Sequence, residues 1–296
     1  MQAQDDSQRQ LGFSMCVAMV VGNIIGSGIF LLPASLAPYG LNSVWAWLLT
    51  AAGAMVLAVV FAGLSRAFPK AGGPYEYTQM AFGDLPAFIV AWGYWISNWV
   101  GNAAIATGGV SYLSNLFPWI AEMPGASAAI TVLVIWLLTA VNIYGVRAAG
   151  GVQVVTTVMK LMPLLLIAGL GLYLAFTGSS QLANSNLTAT PFRLDAVTAA
   201  ATLTLWALLG LESAAVVAKK VKDPERNIPR ATLAGTGLSA LIYILACTAV
   251  LALIPGEQLA HSNAPFADVA KLFWGSAAAH WLALFAAVSA FGALNG

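Results

Sequence analysis

Charged residues are scarce in this chain, and their scarcity excludes an ordinary soluble domain. Only 8% of the 296 residues are Asp, Glu, Lys or Arg, whereas a soluble globular domain carries about 25%. Hydrophobic residues make up 60% of the chain, and its mean hydropathy is +0.83. This composition is typical of an integral membrane protein.

Cysteine and histidine are also rare, with two residues of each. Cys16 and Cys247 lie in apolar runs, where a cysteine usually acts as a small hydrophobic residue, so no disulfide framework is expected. His261 and His280 are isolated, and the sequence shows no clustered His, Cys or acidic ligands. We therefore expect no metal, no cofactor and no enzymatic activity.

Apolar runs long enough to cross a bilayer recur along the whole chain. A membrane helix needs about 20 residues, and the strands of a barrel would alternate in polarity instead. The sequence predicts eight membrane helices, numbered here as spans one to eight: 13–34, 43–66, 86–116, 126–145, 152–177, 195–218, 230–254 and 275–296. Because the eighth run is still apolar at Gly296, we expect the sequence to be truncated inside a helix.

Basic residues predict the orientation of these spans. With the N-terminal tail (1–12) in the cytoplasm, every Lys and Arg except Lys160, Arg193 and Lys271 falls in that tail or in or beside a cytoplasmic loop. This distribution follows the positive-inside rule, and it places the loop 178–194 outside. We expect a multi-pass protein in the lipid bilayer of the plasma membrane, which is the inner membrane of a bacterium. Because the basic residues set the topology, nucleic acid is not an expected partner.

Span one contains the stretch GNIIGSGIF, residues 22–30. Glycine weakens a continuous helix, and irregular backbone at membrane depth is tolerated only where it lines a cavity or is buried in protein. A break at Gly26, Ser27 and Gly28 would expose amide groups at the positive end of a half-helix, which suits a carboxylate. The alternative is that Gly22 and Gly26, spaced as GxxxG, only let another helix approach closely.

Span six contains a comparable interruption. The segment LWALLGLESAA (205–215) places Gly210 at mid-span and the acidic Glu212 shortly after it. Transporters built from repeated halves place broken helices in corresponding positions, and spans one and six are five apart. The two segments share little literal sequence, so periodicity alone does not establish a repeat.

Polar side chains share one face of span three. Tyr94, Asn98 and Asn102 recur at about 3.6-residue spacing, and Ser97 adjoins them. Two amides and a phenol on one face of a membrane helix need partners. They either line a site or form hydrogen bonds with neighbouring helices.

Two further residues stand out by their position within a span. Lys160 is predicted at a depth of about 12 Å in span five, from the helical rise of 1.5 Å per residue. Its amine either exchanges a proton by alternating between buried and aqueous surroundings, or snorkels to the inner interface. Trp206, beside the second break, either stacks on a cationic group or packs in the core. Other tryptophans, including Trp45 and Trp47, lie near span ends, as in an aromatic belt.

The motifs in these spans resemble one family of transporters. GNIIGSGIF in span one, NWVGN in span three, and TLWALLGLES followed by VKDPERNIPRA in and after span six resemble the amino acid–polyamine–organocation (APC) superfamily. The resemblance is strongest to its basic amino acid and polyamine antiporter branch, which includes arginine–agmatine and putrescine–ornithine exchangers. It implies an all-α, LeuT-like membrane protein with a five-plus-five inverted repeat and broken first and sixth helices. About eight of twelve spans would be present, with the first repeat over 13–177 and three helices of the second over 195–296.

The resemblance also implies roles for individual residues. The backbone around the GSG motif would bind a substrate α-carboxylate, Trp206 would close over the substrate, and Glu212 would take part in proton-linked gating. The fifth-span lysine stands where sodium-coupled relatives bind a cation. The implied substrate-binding residues are Asn23, Ile24, Gly26, Ser27, Gly28, Ser97, Asn98, Asn102, Trp206 and Gly210. The implied gating and proton-coupling residues are Tyr94, Lys160 and Glu212. Arginine-specific antiporters usually carry small or thiol side chains at the positions of Ser97 and Asn98, so the substrate stays open.

The expected function is secondary active transport of amino acids, including cationic amino acids or polyamines, by alternating access. Proton coupling or substrate exchange would drive it, so protons and a small-molecule substrate are the expected partners, and a homodimer is left open. A proton-coupled uniporter or symporter for neutral amino acids is the alternative of the same class. A channel is the alternative of another class. It would need a continuous polar pore lining, and apart from span three no span shows such a lining. The chain as given is not expected to transport, because the second repeat would lack two spans.

Overall fold

Long apolar runs form helices because a helix satisfies its own backbone hydrogen bonds without water. The computed structural model describes residues 11–26, 28–68, 72–179, 187 and 190–295, and these are mostly helical. The helices are α1 (Phe13–Ile24), α2 (Gly28–Leu36), α3 (Leu41–Ala67), α4 (Pro74–Phe82), α5 (Asp84–Leu116), α6 (Trp119–Glu122), α7 (Ala126–Tyr144), α8 (Val146–Phe176), α9 (Leu194–Ala207), α10 (Ser213–Val216), α11 (Pro224–Leu253), α12 (Gly256–Ala260), α13 (Pro265–Trp274) and α14 (Ser276–Asn295). Short 3-10 helices lie at Ala37–Tyr39 and Ala218–Lys220.

Each predicted span coincides with one of these helices or with a pair of them. Within the described ranges, five helices are long and apolar enough to cross a membrane, and the bent pair α1–α2 makes a sixth if it counts as one span. The five are Leu41–Ala67, Ala126–Tyr144, Gly150–Phe176, Pro224–Leu253 and Ser276–Asn295. Predicted spans three and six do not pass this test. Trp, Gly and Asn residues lower the mean hydropathy of α5, and α9 has only 14 residues.

Span one is broken where the glycine-rich motif predicts. α1 ends at Ile24, α2 begins at Gly28, and the two pieces are bent by 41°. Ser27, which is part of the predicted break, lies outside the described residues. The prediction of a discontinuous first span is confirmed.

Span six is also broken. α9 ends at Ala207, and helical structure resumes only as the single turn α10, which begins at Ser213. Between them Gly210 has a φ of 105°, a backbone conformation that glycine adopts readily and other residues rarely do. The second interruption is therefore confirmed, while the inverted repeat that would relate the two breaks stays a prediction.

The arrangement of the helices encloses α1. α11 packs against α1, α3 and α8, and α14 packs against α5, α8 and α1. Small residues allow these close contacts, as is usual inside membranes, where burying apolar surface gives little driving force. On α3, for example, Ala46, Ala54 and Ala58 are buried, whereas Val56 and Val59 are exposed. An apolar outer face of this kind suits contact with lipid.

Short helices lie between the predicted spans, where the sequence predicts only connections. Backbone hydrogen bonds also join segments that flank different spans. The helices are α4, α6, α12 and α13. Leu11 donates its N–H to Lys220 O (2.9 Å) and accepts a hydrogen bond from Lys222 N (2.9 Å). Gly72 N donates to Val216 O (3.2 Å). The start of α1, the segment before α4 and the chain after α10 are thus tied together.

Trp47 corrects the prediction of an aromatic belt at the start of α3. It is fully buried, and its ring centroid lies 5.3 Å from that of Tyr243 on α11. Trp45 is exposed, as the belt predicts. Residues two positions apart point to different sides of a helix, so only one of these tryptophans can face outward.

Two glycines of α11 provide a matched test of the close packing. A Cβ on Gly235 would lie 2.6 Å from Val20 Cγ1, whereas a Cβ on Gly237 meets no atom nearer than Met55 Sδ at 3.7 Å. Gly235→Ala is expected to lower the free energy of unfolding by about 1–3 kcal/mol, because the added methyl group would force α1 and α11 apart. Gly237→Ala should leave it unchanged or raise it by about 0.5–1 kcal/mol. Thermal unfolding in detergent measures the difference, and equal melting temperatures would contradict the packing.

Candidate functional site

The two interrupted spans contact each other through their backbones. A Cβ on Gly210 would lie 3.2 Å from the carbonyl carbon of Asn23 and 3.3 Å from the amide nitrogen of Ile24. No side chain separates the turn after α9 from the end of α1. The two breaks that the sequence predicts separately therefore lie against each other.

Trp206, in the last turn of α9, lies over the start of α2. A Cβ on Gly28 would lie 2.7 Å from Cζ3 of the indole ring. The first N–H groups of a helix have no partner within it, and they form the positive end of the helix dipole. Trp206 is 56% exposed, so it does not pack as a core residue. The indole thus borders a site where amide donors can meet an anionic group.

The carbonyl groups at the other side of the first break are satisfied by side chains from three helices. Lys160 Nζ on α8 donates to Gly22 O (2.8 Å) and Ile25 O (2.6 Å). The Tyr243 hydroxyl on α11 donates to Ile24 O at 2.6 Å. Ser289 Oγ on α14 donates to Gly26 O at 3.3 Å. Four carbonyl oxygens around the break are therefore bonded by side chains from neighbouring helices, and Ile24 O also accepts a hydrogen bond from Gly26 N at 3.1 Å.

Lys160 is fully buried at this end of α1. Within the described part of the chain, no carboxylate forms an ion pair with it. Its ammonium instead faces the carbonyl end of α1, which carries the negative partial charge of the helix dipole. This position does not fit the snorkelling alternative, in which the charged head would reach the interface.

The third span reaches the breaks through a tyrosine. The Tyr94 hydroxyl on α5 donates a hydrogen bond to Glu212 Oε1 at 3.3 Å. Ser97 and Asn98 donate instead to the Tyr94 carbonyl of their own helix, at 2.9 and 2.8 Å. Asn102 is exposed. Tyr94 therefore connects α5 to the segment that follows Gly210.

Comparison with known proteins identifies the family. The family model described as amino acid permease matches residues 11–296. The chain belongs to the amino acid permease family. It is accordingly an all-α, multi-pass membrane protein, and the proteins that it resembles are transporters rather than enzymes.

Several curated relatives cover most of this permease chain. The cadaverine/lysine antiporter of Escherichia coli (strain K12) is 37% identical over 292 residues, which cover 98% of this chain and 64% of the antiporter. A putative arginine/ornithine antiporter of Bacillus subtilis (strain 168) is 31% identical over 319 residues, covering 98% of this chain and 67% of that protein. A putrescine transporter of Haemophilus influenzae is 35% identical over 257 residues, covering 87% and 58%. The permease chain thus spans between 58% and 67% of the length of these relatives.

The structure brings together most of the residues predicted for the site. Those that meet at the two breaks are Asn23, Ile24, Gly28, Trp206 and Gly210. Gly26 is held by Ser289 beside them. Lys160 bonds to the end of α1, and Glu212 accepts a hydrogen bond from Tyr94. Ser27 lies outside the described residues. The hydrogen bonds of Ser97 and Asn98 do not join them to this group.

Sequence patterns alone do not single out Tyr243 and Ser289. A hydroxyl in an apolar run is a usable signal, because in lipid such a group must find its partner within the protein. The signal is not specific, however. Thr236 and Ser239 on α11 are equally buried, and within the described residues their hydroxyls have no hydrogen-bond partner. Only the packing of α11 against α1 selects Tyr243.

Two buried tyrosines provide a test of how much the hydrogen bond to Ile24 O contributes to the free energy of unfolding. Tyr243→Phe is expected to lower the free energy of unfolding by about 0.5–1.5 kcal/mol, because the Ile24 carbonyl loses one of its two donors and keeps only Gly26 N. Tyr112 is similarly buried, and its hydroxyl has no partner among the described residues. Tyr112→Phe should therefore be neutral or stabilising. Thermal unfolding in detergent compares the two variants, and a larger loss for Tyr112→Phe would contradict the assignment.

Proposed function

We propose that the whole protein is a secondary transporter that moves cationic amino acids or polyamines across the bacterial inner membrane by alternating access. The observation that carries this proposal is the contact between the two broken spans, with Trp206 over Gly28. A site at the meeting point of two interrupted helices holds a substrate by backbone polarity, without covalent chemistry. The N-terminus would lie in the cytoplasm, as the basic residues predict.

The chemistry of the site supports a substrate with a cationic group. The indole of Trp206 can bind an ammonium or guanidinium through its ring face. Glu212, held by Tyr94, supplies a carboxylate close to the second break. The amides in the first turn of α2 have no partner within their own helix, and such groups suit an amino acid carboxylate. An amino acid and its decarboxylated amine share the cationic end, so one site can accept both in exchange.

The names of the relatives agree with this substrate class. They are named for cadaverine and lysine, for arginine and ornithine, and for putrescine. All of these molecules carry an amine or a guanidinium at the end of a flexible aliphatic chain. We extend that class to this chain because the indole of Trp206 and the carboxylate of Glu212, at its second break, suit a cationic group.

Lys160 supports proton coupling in the same site. Its amine lies wholly in protein and bonds to the end of α1. Any movement of α1 against α8 would break these bonds and change the surroundings of the amine. Opening toward water would then let the amine exchange a proton once in each cycle.

Reconstitution of the whole protein in liposomes tests the proposed function. We expect saturable uptake of a radiolabelled cationic amino acid, stimulated by unlabelled amino acid or polyamine inside the liposomes. Non-saturating flux without such stimulation would indicate a channel. Uptake that depends on a pH gradient and is inhibited only by neutral amino acids would favour the symporter alternative. If no amino acid or polyamine moves under any gradient, the proposal is wrong.

Two substitutions separate the candidate proton carriers. Lys160→Ala cannot carry the proton, so we expect it to abolish proton-driven accumulation or to flatten the pH dependence of transport. Exchange without a pH gradient serves as its folding control. Glu212→Gln is measured alongside. Trp206→Ala should raise the KM by more than Lys160→Ala does, because the indole borders the proposed substrate site whereas Lys160 is fully buried against α1. If Lys160→Ala keeps the parental pH profile and Glu212→Gln loses it, the coupling role belongs to Glu212.

A further inference from the structure

Gln153 is buried near Lys160, and nothing so far assigns it a part in the site. It is 2% exposed, and it shares a face of α8 with Thr157 and Lys160, at positions i, i+4 and i+7. Thr157 Oγ1 donates to Ala18 O at 3.2 Å. This face of α8 therefore follows α1 toward the break.

Gln153 is the last of three amides that join three helices. Asn142 Nδ2 on α7 donates to Asn295 Oδ1 on α14 at 3.2 Å. Asn295 Nδ2 donates in turn to Gln153 Oε1 at 3.3 Å. A side-chain amide has an acceptor end and a donor end, so this order directs Gln153 Nε2 away from Asn295.

The Nε2 group faces Gly22 of α1. A Cβ on Gly22 would lie 1.8 Å from Nε2, so only a glycine leaves room for the amide. Within the described residues Nε2 has no hydrogen-bond partner. The carbonyl of Gly22 is one of the two that Lys160 holds. A buried donor therefore lies unpaired against Gly22, the residue whose carbonyl accepts the bond from Lys160.

We propose that Gln153 is a positioning residue that acts through Lys160, an inference that rests on the proposed function. Its Nε2 group is the donor that takes the Gly22 carbonyl when the Lys160 amine leaves to exchange a proton. Without such a replacement, the buried carbonyl would lose its donor, which is unfavourable. Asn295 and Asn142 keep the donor end of Gln153 aimed at α1. Gln153 thereby makes release of the lysine easier without touching substrate.

Two variants and a control test this inference in the whole protein in liposomes. Gln153→Met keeps the length of the side chain and removes its N–H groups. Asn295→Leu removes the group that orients the amide. Thr156→Val is the control on the same helix, because the bonds of the Thr156 hydroxyl, among the described residues, go to Val152 O and Gln153 O of α8 itself.

We expect Gln153→Met to lower the maximal rate of exchange by about tenfold while the KM changes by less than about twofold. Asn295→Leu should act in the same direction, and the double variant should be no slower than the slower single variant, because both act through one amide chain. Thr156→Val should keep the parental rate. Rates are expressed per folded protein, measured by thermal unfolding of each variant.

Three results would overturn the inference. The first is a parental maximal rate for Gln153→Met per folded protein, which would make the amide chain purely structural. The second is a change confined to the KM, which would place Gln153 in contact with substrate. The third result applies if Gln153→Met does not fold, and it is a parental maximal rate for Asn295→Leu. A parental protein that moves no substrate would instead contradict the proposed function, before any variant is compared.

Discussion

The backbone at the end of α1 imposes the main constraint on this structure. A helix that stops at membrane depth leaves carbonyl groups without partners, and water is not available to satisfy them. The chain meets this need with an ammonium, a phenol and a hydroxyl from α8, α11 and α14. These three helices must therefore approach α1 closely. Glycine at positions such as 235, beside Val20, permits that approach.

The break in span one produces two helix ends of opposite polarity. The carbonyl end of α1 is occupied by the protein's own cation, Lys160. The amide end of α2 carries no such group in the described residues and borders Trp206, which remains more than half exposed. One interruption thus leaves a carbonyl end bonded to Lys160 and an amide end beside Trp206.

Much of the fold could be predicted from local sequence. Apolar runs locate the spans, and the GNIIGSGIF and LWALLGLES segments locate both breaks, because glycine and polar residues weaken a helix wherever they occur. The short helices α4, α6, α12 and α13 escaped prediction, since brief amphipathic segments between spans resemble connections in composition. The pairing of Leu11 with the chain after α10 joins residues far apart in sequence, and no local sequence pattern predicts it.

For the site, the sequence established which kinds of groups are present, and tertiary packing decided which of them act together. Asn23, Gly28 and Trp206 belong to motifs whose chemistry can be inferred from the sequence alone. The choice of Tyr243 rather than Thr236 as a donor to α1, and the burial of Trp47 but not Trp45, depend on how neighbouring helices are rotated. Rotation is set by the fit of side chains across helix interfaces, which a single segment does not contain. Lys160 shows both levels: its place in a span follows from the sequence, and its bond to the end of α1 follows only from the fold.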